Sequence, residues 1–134
     1  MGAFSDDLAK FEAKTSEKLT VAVRKISLEL FRRVILRSPV DTGRFRANWQ
    51  VTIGSLPSGT LELDDKTGNV TIDKADAVIS GVQGGDIVVL TNNLPYSKRL
   101  EEGYSQQAPQ GFVALSVQEF QAIANEIGLE IVRI

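Results

Sequence analysis

The chain has 134 residues and a net charge of -2, with 43% apolar and 24% charged side chains. That fits one folded domain, taken as residues 1–134, and excludes a disordered or collagen-like chain. With neither Cys nor His, disulfide staples, Cys/His zinc sites, a thiol nucleophile and a Ser-His-Asp triad are out of reach. No apolar run approaches the ~18 residues that span a bilayer, and residues 1–10 lack a basic stretch leading into an apolar core. Neither membrane insertion nor a standard secretory signal is expected.

The charge is divided along the chain. Residues 1–48 hold ten Lys or Arg against six acids, and residues 49–134 hold five against eleven, a balance of +4 and -6. Seven of the basic residues, Arg24, Lys25, Arg32, Arg33, Arg37, Arg44 and Arg46, share a stretch whose acids are Glu29 and Asp41. Such a belt suits nucleic acid or an acidic neighbour. The stretch lacks the aromatic platform of a single-strand binder, so the plainer reading is a solvated face that pairs with the acidic half of this chain or of another copy.

The spacing predicts a long helix over 5–38, with Ser5 as N-cap, Asp6 and Asp7 in its first turn, and Pro39 ending it. Leu19, Val23, Ile26, Leu30 and Val34 form one apolar stripe; Val21, Leu28, Phe31 and Ile35 form a second on roughly the opposite side. At ~1.5 Å per residue such a rod is about 50 Å long, against a radius of gyration near 14 Å for a domain of this size. Either the helix breaks at Lys14, Thr15 and Ser16, where propensity is weak, or its surplus surface packs on another chain, with Val21, Leu28, Phe31, Ile35, Arg32 and Arg33 as interface candidates.

In the turn after Pro39, Asp41 is expected to cap a short helix and Gly43 to supply backbone freedom. Alternation of Trp49, Val51 and Ile53 predicts a half-buried strand over 48–53. Residues 54–69 read as a variable loop or weak hairpin, with Leu61 and Leu63 marking a possible strand. Asp73 is placed as the cap of a short helix carrying Ala75, Val78, Ile79 and Val82, stopped at Gly84-Gly85. The β-branched run from Ile87 to Leu90 predicts a central strand covered on both faces. Pro95 suits the first turn of a helix in which Tyr96 and Leu100 meet and which Gly103 stops. A last helix from Phe112 puts Val113, Val117, Phe120, Ala124 and Ile127 on one side, interrupted at Gly128; the state of 129–134 is left open.

Chemistry-bearing constellations are few. Asp41-Thr42-Gly43 matches the turn of aspartic proteases, where two carboxylates share a proton; here it follows a basic helix, and Arg44 and Arg46 favour an ionised carboxylate. Asp64-Asp65 and Glu101-Glu102 read as solvated acids, the first lacking calcium-loop spacing and the second diverging by about 100° on a helix. Asn92 and Asn93 leave a strand for a Pro-started helix, where their amides can satisfy backbone groups. Tyr96, Arg99 and Tyr104 gather around Leu100 with the composition of an interface, or equally of a packed corner.

Two blocks, Ser38 to Trp49 and Asn92 to Val113, in this order around an apolar strand, resemble the small tail-component family of tailed bacteriophages, described as neck, head-tail joining or tail-completion proteins. The resemblance spans roughly Arg37 to Ile127. It implies an α+β subunit, in which long N-terminal and C-terminal helices pack on a small, mostly antiparallel sheet with short helices between the strands, and a structural job without enzymatic activity, cofactor, metal or catalytic residue. Matching positions are Asp41, Thr42, Gly43, Arg44 and Trp49 in the first block and Asn92, Asn93, Pro95, Tyr96, Leu100, Glu101 and Gly103 in the second, with architectural roles. Arg99 and Tyr104 complete the interface candidates. The implied assembly is a homo-hexameric ring in the neck or tail of a virion, built in the host cytoplasm. A head-completion or connector protein would lie on one side, a tail terminator or tail-tube protein on the other, and DNA in the lumen, with no membrane. Capping of tail-tube growth is the alternative role; a nucleic-acid module and a dimeric protease are the remote ones.

Overall fold

The computed structural model describes residues 2–133. Its α+β order is α1 (Gly2–Arg37), α2 (Arg44–Ala47), β1 (Trp49–Ile53), α3 (Asn69–Ile79), β2 (Val88–Asn92), α4 (Ser97–Glu101), α5 (Val113–Gln118) and α6 (Phe120–Arg133). The long first helix begins upstream of Ser5, which is therefore an interior residue and not the N-cap. It also runs unbroken through Thr15 and Ser16, whose propensity deficit of a few tenths of a kcal/mol each does not offset the hydrogen bonds that a break would forfeit. Its end falls where Pro39 requires it: Ser38 leaves the helix, its N–H donating to Ile35 O at 3.2 Å and its hydroxyl to Val34 O at 2.8 Å.

β1 and β2 form a two-stranded antiparallel sheet, registered from Trp49 opposite Asn92 to Ile53 opposite Val88. Val51, Val88 and Leu90 of this sheet pack with Phe31 of α1 and Ala75 and Ile79 of α3. A second cluster joins Val34 and Ile35 of α1 to Phe45, Trp49, Leu94, Ala108 and Phe112. β2 is not the central strand its composition predicts: it has one neighbour, all five residues are half-buried, and Ile87 before it is 71% exposed. Residues 61–65 form no strand.

The two stripes of α1 are corrected in the same way. Phe31 and Ile35, taken as partner-facing, lie in the chain's own core at 9% and 0% exposure, beside Val34 of the opposite stripe. Leu28 is half-buried against the Phe31 cluster, and Val21 alone of that set is exposed. The reason is that Ala75 and Ile79 of α3 cover Phe31, the corner of Phe45, Trp49 and Phe112 covers Ile35, and α6 lies along Leu28 through Ile123 and Ile127. One helix thus has two sides buried by a single chain.

The last helical region also departs from its predicted face. It breaks at Glu119, and the buried line is Phe112, Ser116 and Ile123, whereas Val117 and Phe120 are exposed. Gly128 does not interrupt α6, which continues to Arg133; Ile134 lies outside the described residues.

Candidate functional site

The two motif blocks meet at one corner. Phe45 of α2 stands edge-on to Trp49 and Phe112, with centroids 5.9 and 5.4 Å away, and Trp49 meets Phe112 edge-on at 5.9 Å. T-shaped pairs at such separations add about 0.5–1.5 kcal/mol each beyond the area they bury. The Trp49 indole N–H donates to Ser38 Oγ at 2.8 Å, which fastens the start of β1 to the end of α1. Gln107 clamps the other side: its amide donates to Val40 O at 2.9 Å and accepts from Val40 N at 2.8 Å.

Polar side chains complete the corner by satisfying backbone groups. The Arg46 guanidinium donates to Leu36 O and Ser38 O, both at 2.9 Å, and to Lys66 O at 2.7 Å. It thereby closes the C-terminal end of α1, where carbonyls lack intrahelical partners. Burial lowers the guanidinium below its ordinary value, an effect the nearby Asp65 charge opposes. Asn48, fully buried, donates to Arg44 O and Leu61 O and accepts from Leu61 N. Asn92 donates to Phe45 O and accepts from Leu94 N, and Asn93 donates to Pro57 O and Gly59 O, the backbone role their sequence position suggests.

The acids are not all solvated. Glu101 reaches from α4 to the start of α5, its Oε2 accepting from Phe112 N and Val113 N at 3.0 and 2.9 Å and its Oε1 from Ala114 N at 2.8 Å. A carboxylate at a helix N-terminus satisfies orphan donors and favours the dipole. Gly103 supports this geometry: at φ 92°, a Cβ there would run into the Pro109 carbonyl oxygen. Replacing Glu101 by Ala is expected to cost on the order of 2 kcal/mol by leaving three N–H groups unpaired. Glu102→Ala, an exposed change, should stay within about 0.5 kcal/mol. Thermal unfolding of both variants checks the difference.

Asp65 is the residue the sequence reading missed. It is buried, and it caps the entry to α3 by accepting from Gly68 N at 3.1 Å, Thr71 N at 2.8 Å and Thr71 Oγ1 at 2.7 Å. Asp73, placed as that cap, is an interior residue of α3. The local signal was an Asp three residues ahead of a Gly that opens a helix. Likewise Asp41 does not cap α2: it is exposed, and Thr42 Oγ1 accepts from Arg44 N instead. Asp41, Thr42 and Arg44 line a surface cleft of about 280 Å³ together with Tyr96, Leu100 and Ser105. Pro95 precedes α4 and Tyr96 stands at its cap position. Tyr104 is 73% exposed, with the Arg99 guanidinium 5.2 Å above its ring.

The basic belt is largely spent inside the chain. Arg24 donates to Val82 O at 2.7 Å, Arg33 pairs with Glu29 at 2.9 Å and Glu119 at 3.3 Å, and Arg37 pairs with Glu119. Hydrogen bonding from Arg37, joined by Arg33, outweighs desolvation and holds the Glu119 carboxyl below the usual carboxylate range. Arg32 and Arg44 remain exposed. Among the described residues no cluster of three or more acids is placed to hold a metal ion, and no helix is long and apolar enough to cross a membrane.

What the chain leaves uncovered is the first part of α1. Its described side chains from Ala3 to Glu17 are exposed. The first ones packed against the rest of the fold are Leu19 and Thr20, beside Gly84, whose N–H donates to Thr20 Oγ1 at 3.2 Å. From Ala3 to Glu17, about 21 Å of helix, no described side chain is covered.

A comparison with protein families matches residues 2–103 to the family described as "Bacteriophage HK97-gp10, putative tail-component". Comparison with curated proteins and with solved structures gives no match.

Proposed function

Because the chain belongs to the bacteriophage HK97-gp10 tail-component family, we propose that it is a ring-forming protein of the head-tail junction, a tail-completion or neck protein that joins the head connector to the tail tube and leaves a lumen for DNA. Membership carries the coarser statement by itself: the chain is a structural component of a phage tail, part of the virion, in contact with other phage structural proteins.

The observation behind the finer reading is the uncovered helix. An isolated helix of this length is marginal in water, and Leu8 on it is 49% exposed, so a neighbouring copy or tail protein is the natural cover. A heterologous contact repeated around an axis closes into a ring, and six copies is the number we propose. The reading is non-enzymatic, since Asp65 and Glu101 act as helix caps and Asp41 stands on an exposed turn. Arg32 and Arg44 are the belt residues free to meet DNA or a neighbouring copy.

A phage carrying a nonsense mutation in this gene provides the test. The expected result is DNA-filled heads and finished tails of normal length that fail to join, with joining restored by adding the purified protein. Tails of irregular excess length would assign the chain to tail termination instead. Normal joined particles would overturn both.

A further inference from the structure

We propose that the two-stranded sheet is a fragment of a larger one: the outer edge of β2 in one copy pairs, antiparallel, with the outer edge of β1 in the next. The inference rests on the ring reading above and names the contact that builds the ring.

The Gly54 N–H donates to Ile87 O at 2.8 Å, so residues 54 and 87 form a hydrogen-bonded pair. Carried along the register of the sheet, this aims the backbone groups of Thr52 and Val89, and of Gln50 and Thr91, at each other. The N–H and C=O groups of Val51 and Ile53 on β1, and of Val88 and Leu90 on β2, therefore point out of the sheet on either side. Among the described residues no group takes them up. Natural sheets protect such edges with charge, proline or a covering element. Trp49–Ile53 and Val88–Asn92 hold no charged residue and no proline. The run Val88-Val89-Leu90 has the composition of a central strand, and pairing between copies makes it one.

A second copy is the occupant because it brings the complementary edge. One chain presents two open edges facing opposite ways, on strands of five residues each. A head-to-tail contact uses both, whereas a β2-to-β2 dimer or a foreign strand on β2 leaves β1 open. Rotation about an axis along the strands keeps every β1 pointing the same way, so β2 meets the next β1 antiparallel. The faces match as well. The outward-bonding residues Val51, Val88 and Leu90 are also those whose side chains lie on the core side, against Phe31 and Ile79. Satisfying the backbone therefore sets core face beside core face. The β1 edge has room for the partner: it opens on a trough of about 340 Å³ lined by Val51, Leu61 and, from α3, Ala75, Ala77 and Val78. Those small side chains leave space for Val88 and Leu90 of a strand lying about 4.8 Å from β1.

The chain has no native cysteine, so single-cysteine chains mixed in pairs read the contact directly. Thr52→Cys, carrying a size tag, is mixed with untagged Ile87→Cys, Val89→Cys or Thr91→Cys, which sample the registers open to the pairing. One cysteine per chain rules out an intramolecular bond, and a disulfide needs Cα atoms within about 7 Å; thermal melting checks folding. The expected result under mild oxidation is a mixed dimer, reversed by reductant, from one of the three mixtures, in solution or in particles complemented with both variants. On assembly, amide exchange at Val88 and Leu90 should slow by about tenfold or more, as edge donors gain partners. Dimers from Val89→Cys alone, with no mixed dimer, would assign a two-fold β2 contact and overturn the head-to-tail one. Protection of Val88 and Leu90 in virions without a mixed dimer would assign the edge to a strand of another tail protein and likewise overturn it. Copies per virion, counted by quantitative mass spectrometry, read the ring separately. Several copies with no mixed dimer overturn the strand contact and leave the ring standing; a single copy overturns both.

Discussion

Gly43→Ala is expected to be a severely damaging single-methyl change, costing on the order of 4 kcal/mol from backbone strain plus overpacking. Gly43 sits at φ 93°, in the left-handed region, and a Cβ there would lie 2.6 Å from both Asp65 N and Lys66 N. Those atoms are backbone and cannot swing aside. Asp65 N also donates to Gly43 O at 3.0 Å, so any shift that relieves the clash stretches the bond between the first motif block and the loop that enters α3. The neighbouring Arg46 bond to Lys66 O would loosen with it. Two internal controls separate strain from crowding: Gly54 and Gly59 have φ of 78° and 79° with nothing within 4 Å of a built Cβ. Ala at either should show the conformational cost alone, roughly 1–2 kcal/mol. Denaturant titration of the three variants checks the order, and equal losses at all three would refute the close-approach account. The Gly of the Asp-Thr-Gly turn is thus required by a neighbouring backbone, a demand that owes nothing to carboxylate chemistry.

How much of this corner could be read beforehand depends on how local its cause is. The end of α1 at Pro39, the presence of β1, and the amide roles of Asn92 and Asn93 follow from adjacent residues, and the structure has them as expected, although burial along β1 falls from Trp49 to an exposed Ile53 and does not alternate. The α+β class and the phage tail-component family were also legible, the second from two blocks that together build one aromatic corner. What the sequence hid depends on partners far along the chain. Glu101 looks solvated beside Glu102 until α5 arrives with three unpaired N–H groups from Phe112, Val113 and Ala114. Phe31 and Ile35 look surplus until α3 is seen to cover the first and the corner of Phe45, Trp49 and Phe112 the second. The basic belt looks like a binding surface until Glu119 and the carbonyls of Leu36, Ser38, Lys66 and Val82 absorb most of it. Periodicity names a face of a helix; only the topology says how many neighbours that face has.

Asp65 should make the fold acid-sensitive, with a sign that can be worked out. Burial alone would push its carboxyl up, but hydrogen bonds from Thr71, Gly68 and Thr67 together outweigh it and hold the group below its ordinary value. A carboxyl depressed on folding contributes stability that is fully present above the unfolded value, about 3.9, and is lost as pH falls through the lower folded one. At neutral pH, Asp65→Asn keeps the size of the side chain but turns one acceptor oxygen into an N–H₂ group. That group cannot accept from Thr71 N, which leaves a buried donor unpaired at the first turn of α3. The expected loss is on the order of 3 kcal/mol. As the pH drops into the range where the native carboxyl protonates, the wild-type chain loses the same acceptor, and the gap between the two proteins should shrink. Urea titration of both proteins, near neutrality and again below the unfolded carboxylate value, measures that gap directly. A difference that stays constant would show that the ionised carboxylate is not what fastens α3, and a difference that widens would reverse the sign derived from the hydrogen bonds. Because the Asp65 N–H donates to Gly43 O, the acid-induced loosening should spread first into the turn after α1, so amide hydrogen exchange at residues 65 and 71 should rise together before the core clusters open.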